Sequence, residues 1–127
     1  MSARATLRVH VLFGLGSGES ATEALDSAVE CAAGAGDELT VAVFGNPGER
    51  ERLIARARDH LAGTDLEAEV VELDEDPAGR LVELAETEGI DRIAIPGGER
   101  SPLGKIQLDS VAEFVLLNAT TTVTLIR

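Results

Sequence analysis

Residues 6–45 read TLRVHVLFGLGSGESATEALDSAVECAAGAGDELTVAVFG, and this stretch decides the fold. Thr6 to Gly14 is apolar and β-branched and ends at glycine, the pattern of a buried strand. Ser20 and Glu23 then form a capping box, whose hydroxyl and carboxylate satisfy backbone N–H groups that a first helical turn leaves unpaired. Ala21, Ala24, Leu25, Ala28, Val29 and Ala32 recur on one helical face, and Gly34 and Gly36 stop the helix. Such small residues let a helix lie close to a sheet, with Cys31 expected beside the stripe as a small packing residue. Glu38 to Gly45 returns to β-rich sequence. A strand, a helix of about a dozen residues and a second strand predict a right-handed crossover between parallel strands.

The same alternation continues to the C-terminus. Asn46-Pro47 supplies an N-cap and a first-turn proline, followed by an apolar stripe at Leu53, Ile54, Ala57 and Leu61 and a stop at Gly63. Glu67 to Leu73 is a third strand. Asp76-Pro77 repeats the cap and proline, with Leu81, Val82, Leu84 and Ala85 expected inward and Gly89 as the stop. Asp91 to Pro96 is a short buried strand. Ser110 to Glu113 forms another capping box, opening a helix through Val111, Phe114 and Val115 to Asn118, and Thr121 to Arg127 closes as a strand. No linker, repeat or low-complexity stretch interrupts the pattern, so residues 1–127 read as a single α/β domain. The expected architecture has three α/β/α layers around a five-stranded, mostly parallel sheet, with the first and fourth strands central and adjacent. A domain of 127 residues with 44% apolar composition can bury roughly two-thirds of its unfolded surface.

Composition narrows the function classes. Eleven basic residues face 23 acidic ones, and the net charge of -12 opposes binding to nucleic acid or an anionic membrane. No apolar run has the length of a membrane span, and Met1 to Arg8 is no signal peptide. Cys31 is the only cysteine. That excludes an internal disulfide and a multi-cysteine metal site and suits a reducing cytoplasm, while two distant histidines leave little for a transition metal. Lys105 is the sole lysine among eleven cations. Arginine over lysine, abundant alanine and glycine and the acidic excess suggest a salt-adapted source, in which most carboxylates form a solvated coat.

In an open α/β sheet ligands sit beyond the carboxyl ends of the strands, where strand order reverses. Two loops qualify: Gly14 to Ser20 and Pro96 to Asp109. Gly14-Leu15-Gly16-Ser17-Gly18-Glu19 has half of a dinucleotide fingerprint, but Glu19 stands where the third glycine belongs, and Phe44-Gly45-Asn46 stands where an acidic residue would hold the ribose. Gly104-Lys105 is followed by Ile106, so there is no Walker loop. The second loop is long for a compact domain, rich in glycine and feeds a helix N-terminus that favours anions. Gly14, Gly16, Ser17, Gly97, Gly98, Arg100, Ser101, Gly104, Lys105 and Ser110 are therefore the candidate nucleotide or anion loop. The competing reading pairs Arg100 and Lys105 with Glu99 and Asp109. No catalytic or metal-ligating set stands out.

The element order, together with DRIAIPGGERSPLGKIQLDSVAEFVLLNATTTVTLIR from Asp91 to Arg127, resembles the universal stress protein family. Gly97 through Lys105 with Ser110-Val111 looks like the branch from salt-loving archaea, and Ser17-Gly18-Glu19-Ser20 matches the family's first loop. Members that bind ATP carry Gly, two residues, Gly, nine residues, then Gly with Ser or Thr. Anchored on Ser110, the glycine positions are Pro96, Glu99 and Asp109. The family's aspartate after the first strand falls on Leu15, and its small apolar adenine contact falls on Phe44. Asp109 can itself cap the helix where a phosphate would sit, and a carboxylate about 4 Å from a phosphate costs on the order of 4 kcal/mol at an effective dielectric of 20.

The resemblance implies the adenine-nucleotide alpha-hydrolase-like fold and a cytoplasmic, non-enzymatic stress or regulatory protein. Its nucleotide loop is degenerate, and ATP, AMP or a small anion binds weakly or not at all. The alternatives are an ATP-binding sensor and an enzyme of the adenine-nucleotide hydrolase class. The enzyme reading lacks a general base, because His10 falls within a strand and His60 near a helix end. A module regulating a separate transporter or kinase is a further reading. The exposed, β-branched strand Thr121 to Arg127 predicts a homodimer, as the family likeness also implies.

Overall fold

A parallel strand flanked by two others needs apolar cover on both faces, and here two helices cover each. The computed structural model describes residues 8–16, 21–97 and 109–126. The elements are β1 (His10–Leu15), α1 (Ala21–Ala35), β2 (Glu38–Val43), α2 (Pro47–Ala62), β3 (Ala68–Glu72), α3 (Pro77–Thr87), β4 (Arg92–Pro96), α4 (Ser110–Asn118) and β5 (Thr122–Ile126). The sheet order is β3-β2-β1-β4-β5, and every neighbouring pair is parallel. The expected fold is the observed one, with β1 at the centre and β4 beside it. Relative to the sequence reading β2 to β5 are shorter and β1 runs one residue further, to Leu15, while Thr6 and Arg127 lie outside the described residues.

Each face has its own core. On one, the α1 stripe of Ala21, Ala24, Leu25, Ala28, Val29 and Ala32 packs with Ala57 of α2 against Val11, Phe13, Leu15, Val41 and Val43. All six α1 positions are those that the helical periodicity picks out. On the other, Leu81 and Ala85 of α3 and Ala112 and Val115 of α4 pack against Leu12, Ala42, Ile93 and Ile95. Leu53, Ile54, Leu61, Val82 and Leu84 are only half-buried and line the edges of these clusters.

Capping sets where the helices begin. The Asn46 carboxamide oxygen accepts from the Glu49 N–H at 3.0 Å, and its Nδ2 donates to the Glu49 carboxylate at 2.7 Å. Asp76 caps α3 by accepting from the Gly79 N–H at 3.3 Å, its backbone at φ 41° in the left-handed region that Asp tolerates better than most. The box expected at Ser110 is displaced by one residue. Asp109 is the N-cap of α4, and its carboxylate accepts from the Ala112 N–H at 2.8 Å. Ala112 and Val115 face the core, while Phe114 is exposed. Cys31, expected to pack, is also exposed, because it lies just off the buried edge of the α1 stripe. Ser20, the cap expected for α1, lies outside the described residues.

Leu81 is fully buried beneath β1, close to where a Cβ on Gly14 would lie. Its replacement by Ala should lower stability by about 2–5 kcal/mol, read as an earlier urea midpoint, whereas Ala at half-buried Leu84 should cost less.

Candidate functional site

From β1 the chain winds outward through β2 and β3, then crosses back to β4 and β5 on the other side. The reversal lies between β1 and β4, so the crevice beyond their carboxyl ends is the ligand position that this topology provides. Leu15, Gly16, Phe44, Gly45, Gly97, Asp109 and Ser110 stand at that end of the sheet.

Several groups there already have intramolecular partners. The Phe44 N–H donates to the Leu15 carbonyl at 3.0 Å, and the Gly97 N–H donates to the Ile126 carbonyl at 2.7 Å, extending the β4–β5 ladder. The Ala112 N–H, one of the donors that a helix start offers an anion, is taken by Asp109. Phe44 leans over Gly16: a Cβ on Gly16 would lie 2.4 Å from the Phe44 ring. The absent side chain at Gly16 leaves the room that the Phe44 ring occupies.

The candidate loop residues divide accordingly. Gly14 is inside β1, where a Cβ would meet Leu81 at 3.1 Å, so its smallness serves sheet-to-helix packing. Gly16, Gly97 and Ser110 are brought to the crevice, Ser110 as the exposed first residue of α4. Leu15, read as the first loop position, instead ends β1 and is fully buried in the core. Ser17, Gly98, Glu99, Arg100, Ser101, Gly104 and Lys105 lie outside the described residues.

Sequence reasoning missed Arg50, one turn into α2. Its Nε donates to Glu72 at 2.7 Å and its guanidinium also donates to the Gly45 carbonyl at 2.9 Å. It thereby holds the β2–α2 turn, where Gly45 has φ 126°, to the end of β3. Glu72 is distant in sequence, and no local pattern links the pair.

Neither histidine reaches the crevice. His10 opens β1 at the opposite end, with Nε2 2.8 Å from the Thr40 hydroxyl and Nδ1 3.8 Å from Glu38. Near it a cleft of about 540 Å³ is lined by Arg8, Asp37, Thr64 and Glu67, and Arg8 already pairs with Glu67 at 3.0 Å. His60 lies in the last turn of α2, as expected, and meets Asp26 of α1 at 3.6 Å. Among the described residues no cluster of His, Cys, Asp and Glu could hold a metal ion, and no helix is long and apolar enough to cross a membrane.

The model of the universal stress protein family matches residues 44–127, more than half of the chain. Among solved structures, a universal stress protein from Archaeoglobus fulgidus is similar at 24% identity, with TM-score 0.73 over 94% of this chain and 98% of that one. A family protein from Burkholderia pseudomallei is similar at 27% identity, with TM-score 0.67 over 95% and 97%. A universal stress protein in complex with cAMP is similar at 23% identity, with TM-score 0.74 over 94% and 97%. No curated protein matches the sequence.

Gly16→Ala should drive the Phe44 ring out of its seat. With three phenylalanines and neither tyrosine nor tryptophan in the chain, the aromatic region of the proton NMR spectrum should show one displaced ring and two unchanged. Asp109→Ala should cost about 1 kcal/mol through loss of the α4 cap, measured by urea unfolding.

Proposed function

The chain belongs to the universal stress protein family, and on that premise we propose a non-enzymatic stress-response protein that acts by association and binds ATP weakly or not at all. The observation that carries this reading is the Asp109 cap. Its carboxylate occupies the start of α4, puts negative charge where a phosphate would lie and consumes the Ala112 donor. Phe44 adds bulk against Gly16 at the position where the family resemblance implies an adenine contact. Both histidines engage Thr40, Glu38 or Asp26 away from the crevice, which supports the absence of turnover. The acidic excess supports a salt-rich cytoplasm as the setting.

A nucleotide-sensing role is the second reading, and one observation favours it: a protein similar over nearly the whole chain is known in complex with cAMP. Calorimetry separates the two. ATP should give little or no heat with the unmodified protein. Asp109→Gly should bind measurably tighter, because it removes a charge and clears space, while glycine as N-cap costs only a few tenths of a kcal/mol. Micromolar ATP affinity that this substitution leaves unchanged would favour the sensor.

Association is proposed through β5. The Ile126 carbonyl points inward to Gly97, so by strand alternation the backbone groups of Val123 and Leu125 point to the free edge. A second copy can pair there about a two-fold axis. Light scattering in molar salt should find particles of more than one chain. Val123→Pro removes an outward N–H while sparing the β4–β5 ladder, and should give monomers.

A further inference from the structure

On the α1 side of the sheet a cavity of about 250 Å³ separates the second half of α1 from β4 and β5. Its apolar walls are Ala28 and Ala32 on the helix and Val11, Ala94 and Ile126 on the strands. Alanine on both walls leaves the space open. None of Gly16, Phe44, Gly97 and Asp109 lines it, so it is distinct from the crevice.

One end of the cavity is charged. Asp37, just before β2, and Arg92, which opens β4, meet across β1 with Arg92 Nη2 3.6 Å from Asp37 Oδ2. That is an ion pair, but it is longer than a hydrogen bond. The Asp37 side chain is only 9% exposed and the Arg92 side chain 40%. A carboxylate so deeply placed calls for hydrogen-bond donors, and a guanidinium has five N–H groups to give. Both side chains line the cavity, so an entering ligand meets an acceptor and a donor side by side.

We infer that this cavity is a binding site for a small molecule that carries a neutral primary carboxamide on an apolar body. A carboxamide accepts through its carbonyl and donates through its NH2, so one head serves Arg92 and Asp37 together. A carboxylate head is drawn to Arg92 but repelled by Asp37, and for an ammonium head the signs reverse. The paired charges therefore select a neutral head with both hydrogen-bonding roles. The size agrees: about 150 Å³ is enough for benzene, so about 250 Å³ holds a ring together with its head group. Burial against the alanine, valine and isoleucine walls favours the ring. All of these side chains come from one chain, so the site stands whether or not copies pair through β5.

Benzamide, benzoate and benzylamine share a ring and carry neutral, anionic and cationic heads at neutral pH. Titrating each into the full chain, with the methyl signals followed by NMR, tests the inference. Benzamide should shift the methyls of Ala94, Thr124 and Ile126, which line the cavity, in a saturable manner. Benzoate and benzylamine should bind about tenfold more weakly, because each leaves one partner of the pair unmatched. Asp37→Asn should change the order to favour benzoate, since Arg92 then stands without its counter-charge. Circular dichroism establishes that this variant keeps its fold; should it not, Arg92→Gln, which should favour benzylamine, takes its place. Absence of a benzamide shift at these methyls overturns the inference. Equal binding of the three probes overturns it as well, since the head is then not recognised. So does an order that the substitution leaves unchanged.

Discussion

β1 is buried on both faces, with Val11, Leu12, Phe13 and Leu15 each at most 7% exposed, and it pairs with β2 on one side and β4 on the other. A parallel strand in that position cannot be reached by a hairpin. Each neighbour must return to the amino end through a crossover, and the crossovers become the two helical layers. The separate cores, with α1 and α2 on one face and α3 and α4 on the other, follow from that requirement. So does the crevice, because the chain departs from β1 to one side and later comes back to fill the other.

The crevice shows how the same fold can be tuned toward or away from a ligand. Its geometry supplies a helix start and glycine-permitted approach, both suited to an anion. In this chain those assets face inward. Asp109 takes an α4 donor, the Gly97 N–H goes to Ile126, and the opening that Gly16 leaves is occupied by Phe44. Arg50, a cation near the same end, is committed to Glu72 and Gly45.

Association draws on a different part of the molecule. β5 lies at the edge of the sheet with half-buried side chains, and α4, directly before it in sequence, is the helix with the most apolar exterior. An edge strand and an uncovered apolar helix are each costly to leave open to water, and here they are adjacent. The β5 pairing proposed above covers the edge strand.

The fold was legible in the sequence because it rests on local periodicities: the six buried positions of α1, the cap-and-proline starts of α2 and α3, and short β-branched strands between them. These patterns are set by helix and strand geometry and need no knowledge of what lies across the sheet. Of the candidate loops, Gly16, Gly97 and Ser110 stand at the carboxyl end of the sheet, and residues 17–20 and 98–108 lie outside the described residues. Other features were decided only in three dimensions. Whether Ser110 or Asp109 caps α4 is decided by which side chain reaches the Ala112 N–H, and which α4 residues are buried is decided by packing against Ile93 and Ile95. Gly14 and Gly16 look alike in sequence, yet one makes room for Leu81 and the other for Phe44. The Arg50–Glu72 and His60–Asp26 pairs join residues on different elements. Periodicity reports which face of an element is apolar; only packing decides which distant side chain comes to meet it.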